Sequence, residues 1–203
     1  MGIVVILDQQ MSRLGPDRVG EAADRLSDAL EPGLLRPPVR TAGDEMQAVI
    51  GEPYALPKLV ELCLRWEEWW LGIGIGHIDF LGETSRDSRG AAFRAARDAI
   101  DKAKRRRNPP VAVIGELPEV SERLQGMCDV LAFLLDRRTE RQWEVIDLAR
   151  ARGSGSRAAA QLGISPQSAN EVLRAAAYRE QVAVEEEITY LATEALRRTD
   201  AGA

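Results

Sequence analysis

The chain has 203 residues, a formal net charge of -5, 45% hydrophobic residues and 29% charged residues. That suits one ordinary domain or two small ones, and it is too apolar for a disordered segment. No apolar run approaches the roughly 18 residues of a membrane span, and "MGIVVILDQQ" lacks a basic n-region and a cleavage site, so a cytoplasmic protein is expected.

In chain order, "IVVIL" (3–7) is a β-branched run that reads as a buried strand. After the loop "DQQMSRLGPD", Pro16 suits the first turn of a helix, and Val19, Ala22, Ala23, Leu26 and Leu30 recur at helical spacing until Pro32-Gly33 stops it. "PPVRTA" is extended, a helix is expected from about Asp44, and another follows Pro57. "WWLGIGIGHIDF" alternates apolar residues with glycine, which suits a strand closely approached by a neighbour or a ligand. Trp66, Trp69 and Trp70 read as core residues at helical spacing. The alanine-rich stretch 89–107 is helical with a basic C-terminal end, and "VAVIG" (111–115) is a further strand. Four strands alternating with helices predict an α/β domain over 1–116.

Beyond Pro118 the pattern is helical. A connecting helix is expected over 117–137 and a helical unit over 138–178. A terminal helix over 179–203 has Val182, Val184, Ile188, Leu191 and Leu196 on or near one face. This last helix and the one near 119–136 are the expected surfaces of a homodimer. Cys63 and Cys128 lie in apolar helical contexts and read as reduced core thiols. The single histidine, His77, removes most routes to a zinc site or a Ser-His-Asp triad.

Charge is unevenly distributed. From Arg137 to Arg179 eight arginines face four acids, so this segment is basic inside an acidic chain. Within it "SRAAAQL" is a short helix of small residues, Gly163 suits a left-handed turn, Ser165 suits an N-cap and Pro166 the first helical position. The following helix buries Ala169, Val172 and Leu173 and exposes Gln167, Ser168, Asn170, Glu171 and Arg174. That is a helix-turn-helix layout, in which the second helix enters the major groove. Asn and Gln can read adenine and Arg can read guanine. The expected DNA-binding residues are Arg157, Ser165, Gln167, Ser168, Asn170, Glu171 and Arg174, with Arg137, Arg138 and Arg141 available for phosphates. The segment resembles the tri- and tetrahelical modules of bacterial regulators.

The N-terminal part, with "RTAGDEMQAVI" and "LGIGIGHI", resembles the palm domain of class III nucleotide cyclases and diguanylate cyclases. The resemblance implies a ferredoxin-like (palm) sheet. It also implies a Mg²⁺ site shared by Asp8, at the end of the first strand, and Asp44, and a nucleotide site at Arg13, Arg40, Asp44 and Glu45. The arrangement is closest to the SatD family, through "LDQQMSR", "TAGDEMQ", "LGIGIGHI" and "RGAAFRAAR" followed by a helix-turn-helix tail; the resemblance covers nearly the full chain. Members are often labelled as transcriptional regulators.

Departures from an active cyclase are specific. Gln9 and Gln10 follow Asp8, Ala42 replaces a glycine, Arg94 stands where a catalytic Asn would be, and Arg97 is one position short of a catalytic Arg. The expectation is therefore a homodimeric DNA-binding regulator with a sensory or dimerising palm-like domain and a nucleotide or other small ligand as effector. The alternative is a Mg²⁺-dependent nucleotide cyclase or related nucleotidyl-transfer enzyme using Asp8 and Asp44.

Overall fold

The computed structural model describes residues 1–11, 15–66, 68–106 and 108–201, with side chains described up to 198. Its centre is a five-stranded mixed sheet in the order β2-β3-β1-β4-β7. These strands are β1 (Gly2–Gln9), β2 (Leu34–Ala42), β3 (Glu45–Ile50), β4 (Trp69–Gly76) and β7 (Val111–Gly115). Neighbours run antiparallel except β4 and β7, which are parallel. A small ribbon of β5 (Ile78–Phe80) and β6 (Arg89–Gly90) lies beside the sheet. The helices are α1 (Val19–Leu30), α2 (Ala55–Trp66), α3 (Ala91–Arg105), α4 (Pro118–Leu135), α5 (Glu140–Arg152), α6 (Gly155–Leu162), α7 (Pro166–Ala175) and α8 (Tyr178–Ala201).

The strand period of two sorts side chains onto the two faces. Ile3, Val5 and Leu7 of β1 join Leu71, Ile73 and Ile75 of β4 in the larger core, together with residues of α1, α2, α4 and α8. Val4 and Ile6 point the other way, onto Ala92, Ala96 and Ile100 of α3. The glycines of "LGIGIG" fall on the α3 side. A Cβ on Gly74 would lie 2.2 Å from the Ala96 nitrogen, and one on Gly72 would lie 2.4 Å from the Ile100 nitrogen. The neighbour that approaches this strand is therefore α3, which rests on β4 backbone to backbone.

Three expectations change. The helix expected from Asp44 is strand β3. Gly43 (φ +53°) and Asp44 form a two-residue hairpin turn between the paired Ala42 and Glu45, and glycine first in such a turn matches the twist of the flanking strands. "EMQAVI" is buried on both faces, so it lacks the alternation that marks a half-exposed strand. The extra strand makes the sheet five-stranded rather than four-stranded. The tryptophans do not share a helix, because α2 ends at Trp66 and β4 begins at Trp69. Trp69 is core, whereas Trp66 and Trp70 are half-buried.

The third change concerns the helices expected to pair two chains. Val120, Leu124, Cys128 and Leu131 of α4 and Ile188, Leu191, Ala192 and Ala195 of α8 belong to the larger core of this same chain. Their apolar faces are used internally. Helices α4 and α8 thus pack on the α/β domain of their own chain. Cys63 and Cys128 are buried free thiols, and burial pushes each pKa up to about 12. Among the described residues no helix is long and apolar enough to cross a membrane.

Candidate functional site

Two regions expected to be functional are assembled by this fold. At the end of β1, Asp8 is paired in register with Glu45 of β3 on one side and Trp70 of β4 on the other. Both carboxylates are nearly buried, at 6% and 5% exposure. Asp8 follows Ile6 by two, so it faces α3, as does its register partner Glu45. Lys104, in the last turn of α3, donates to Asp8 Oδ2 at 2.6 Å. Arg97, two turns earlier, forms a fork with Glu45, donating from Nη2 to Oε1 at 2.7 Å and from Nη1 to Oε2. Thr41 Oγ1 also donates to Glu45 Oε1, at 2.6 Å.

Burial pushes the Asp8 pKa up, the Lys104 contact opposes this, and the Asp44 and Glu45 charges add to the rise. The fork with Glu45 holds the Arg97 guanidinium above its ordinary range, against the effect of burial. The carboxylates implied as a metal site, Asp8 and Asp44, are near enough for Asp44 to act on the Asp8 titration. Asp8 and its neighbour Glu45 already carry cationic partners from α3. Among the described residues, no group of three or more acidic, histidine or cysteine side chains is arranged to hold a metal ion. With an ammonium 2.6 Å from Asp8, the residues as placed do not fit a divalent cation.

Other residues of the implied nucleotide site are used differently. Arg40 donates from Nη2 to both Asp17 carboxylate oxygens, at 2.7 and 2.8 Å, and from Nη1 to the Gly43 carbonyl, bracing the hairpin against the segment that leads into α1. The Asp44 carbonyl accepts from the Gln9 nitrogen at 3.0 Å. Arg13 lies outside the described residues. Lys104, in the basic C-terminal end of the helix, and Arg97, one position short of a catalytic Arg, are instead partners of the sheet carboxylates. Their shared face with Ala96 and Ile100, visible in the helical spacing, could have placed both on the sheet.

The second region is the unit α5-α6-α7, with its own small core of Val145, Ala159 and Ala169 and the flanking Leu162, Ile164, Val172 and Leu173. Each junction is specified locally. Thr139 and Gln142 form a reciprocal capping box at α5, Gly153 (φ +73°) ends α5, and Ser154 caps α6. Gly163 (φ +65°) ends α6, and the Ser165 side chain caps α7 by accepting from the Ser168 nitrogen at 3.0 Å. Helices α6 and α7 meet closely, since a Cβ on Gly155 would lie 2.9 Å from Leu173 Cδ1 and 3.2 Å from Asn170 Oδ1.

Ser165, Gln167, Ser168, Asn170, Glu171 and Arg174 are all exposed on α7 or its cap, and Arg157 is exposed on α6. Gln167 Nε2 reaches Glu171 at 3.4 Å, and Arg157 Nη1 donates to the Arg152 carbonyl at 3.0 Å. The arginines upstream are partly committed. Arg138 donates to the Ala176 carbonyl and lies against Trp143, Arg141 pairs with Glu144, and Arg137 lies over Phe133.

No protein-family model, no curated protein and no solved structure matches this chain.

Proposed function

We propose that this chain is a DNA-binding transcriptional regulator of SatD type that acts as a homodimer. In this reading α6 and α7 form a helix-turn-helix, and the α/β domain is a palm-like sensory or dimerising domain without turnover. The observation that carries it is the outer face of α7, an exposed row of polar side chains with one acid, Glu171, and one arginine, Arg174, on a helix anchored by its own small core. Such a face can hydrogen-bond base edges while Arg157 contacts phosphate. The order β2-β3-β1-β4-β7, with the Gly43-Asp44 hairpin beside the end of β1, supports the palm reading. Dimerisation is inferred from the usual pairing of such modules on two half-sites, with a surface other than the internal faces of α4 and α8.

The test is a gel-shift or anisotropy titration against operator sequences selected from a random library. Asn170→Ala and Arg174→Ala should each weaken binding by about 1–3 kcal/mol and relax specificity, and Arg157→Ala should lower the salt dependence. Failure to select any sequence, or unchanged binding by both α7 variants, would overturn the reading.

The cyclase alternative is favoured by one observation, the meeting of Asp8, Asp44 and Glu45 at one end of the sheet. The Lys104 and Arg97 pairs weigh against it. Product formation from ATP or GTP with Mg²⁺ or Mn²⁺, abolished by Asp44→Ala, would restore it.

A further inference from the structure

Helix α4 carries two apolar faces. Val120, Leu124, Cys128 and Leu131 turn into the larger core. On the far side Gly126, Val130 and Phe133 recur at intervals of four and three, so they form one stripe along the helix. Val130 is 41% exposed and Phe133 63%. Met127 and Leu134, both half-buried, border the stripe. Single apolar residues scattered over a surface are ordinary, whereas a contiguous exposed stripe marks a contact.

Gly126 is the unusual member. Glycine weakens a helix interior, and here nothing lies within 4 Å of a would-be Cβ. The packing of its own chain therefore does not call for glycine. What glycine leaves is a recess in the helix surface, two turns from the projecting Phe133 ring. The charges at the two ends of the stripe are opposite. Glu122, exposed, lies one turn before Gly126. Arg137, just past the end of α4, lies over the Phe133 ring at 5.4 Å from its centre. Arg123 is matched by Glu187 of α8, and Asp129 by Arg106, so neither offsets this pattern.

We infer that this outer face of α4 pairs with the same face of a second copy of the chain, the two helices running antiparallel. Phe133 of each copy enters the Gly126 recess of the other, which sets the register. The same register brings Val130 beside its counterpart at the twofold axis. It also places Arg137 opposite Glu122 at both ends, because each lies one turn outward from the residue it accompanies. A twofold contact needs a self-complementary surface, and this stripe is self-complementary in shape and in charge. Parallel helices would instead set Phe133 against Phe133 and Glu122 against Glu122, with the recesses unfilled and like charges facing. A buried aromatic ring seated in a pocket is the usual energetic anchor of such a contact. The inference rests on the homodimer proposed above and gives it a surface, and it is independent of how α7 meets DNA.

The test is sedimentation equilibrium of the full chain without DNA, from micromolar to submillimolar concentration. The parent should be dimeric at the upper end. Phe133→Ser should weaken pairing by about tenfold or more. Gly126→Leu, which fills the recess where a methyl would not, should do the same. Glu122→Arg and Arg137→Glu should each weaken pairing severalfold. Mixing these two charge variants should restore it as a mixed dimer, since each chain then offers the charges the other lacks. The two positions lie about four turns apart in one chain, so no repair within a chain can mimic this. Circular dichroism identifies which variants are folded. A parent that stays monomeric at submillimolar concentration overturns this pairing and the proposed homodimer together. A dimeric parent whose pairing is unchanged in folded Phe133→Ser and Gly126→Leu overturns the α4 face alone and leaves the homodimer to another surface. Charge variants without effect, or without recovery on mixing, overturn the antiparallel register. None of these outcomes bears on the α7 variants, which test the DNA contacts.

Discussion

Arg150 of α5 forms an ion pair with Glu61 of α2, Nη1 to Oε2 at 2.5 Å, although the Glu61 side chain has no solvent exposure. The same guanidinium reaches Glu185 of α8 at 2.7 Å, and Gln181 donates to both carboxylates, at 2.8 and 2.6 Å. Lys58 adds a second cation beside Glu61, at 3.1 Å. This network fastens the α5-α6-α7 unit to the α/β domain through charge, beside the apolar packing of Trp143 on the larger core. Removing one member leaves its partners buried and uncompensated, so Glu61→Gln should destabilise the chain by about 3 kcal/mol at neutral pH. Urea unfolding followed by tryptophan emission measures this.

The same pair has a pH signature. Burial pushes the Glu61 carboxyl up, but Arg150 and Lys58 together outweigh burial and hold it below its ordinary value of 4.5. A depressed carboxyl stabilises the folded state above that ordinary value, and the contribution is lost as pH falls through the folded one. Glu185 is raised, chiefly by burial, so its own contribution runs the other way, present in acid and lost as pH rises through its folded value. The stability gap between the parent and Glu61→Gln should therefore close as pH drops below about 4.5. A gap that stays constant from pH 7 down to pH 3 would show that Glu61 is not ionised in the folded chain.

Close approach of α3 to β4 predicts a contrast between two glycines. Gly74→Ala would put a Cβ 2.2 Å from the Ala96 nitrogen and 2.3 Å from the Ala92 carbonyl oxygen. Backbone cannot yield as a side chain does, so a loss of about 3 kcal/mol or more is expected. Gly126 lies within α4 with nothing within 4 Å of its would-be Cβ. Gly126→Ala should instead stabilise by about 0.5–1 kcal/mol. Thermal melts of the two variants should move in opposite directions.

At Gly163 the constraint is backbone alone, with φ at +65° and open space around the would-be Cβ. Gly163→Ala should cost about 1–2 kcal/mol, with Gly163→Asn recovering part of it, because asparagine tolerates the left-handed region better. An alanine variant that melts with the parent would mean that the turn between α6 and α7 relaxes without penalty.

Lys104 and Arg97 make a prediction about metals. With Asp8 and Glu45 already paired, millimolar Mg²⁺ or Mn²⁺ should leave the melting temperature of the parent unchanged. A ligand at 100 times its dissociation constant would add about 2.7 kcal/mol, a readily measured shift. An upward shift in the parent that Asp8→Asn abolishes would show that Lys104 yields its place to the cation.

Much of the α5-α6-α7 unit was legible residue by residue. Gly163, the Ser165 cap, Pro166 and the inward-facing Ala169, with Val172 and Leu173 half-buried beside it, act through local geometry. Strand β1 and helix α3 were legible for the same reason, because strong periodicity and propensity agree there. The hairpin at Gly43-Asp44 was not, since a strand buried on both faces has no alternation to separate it from a short helix.

The tertiary structure alone decided what the charged residues do. Asp8, Glu45, Arg97 and Lys104 span nearly a hundred positions of the sequence, and only the strand register and the seating of α3 on glycines bring their charges into contact. Arg150 and Glu61 meet in the same way. Local sequence determined which segments fold into helices and strands, because backbone preference and apolar period act over a few residues. Which carboxylate meets which cation depends on distances across the folded chain, and Coulomb energy in a buried site depends on those distances and on the solvent they exclude.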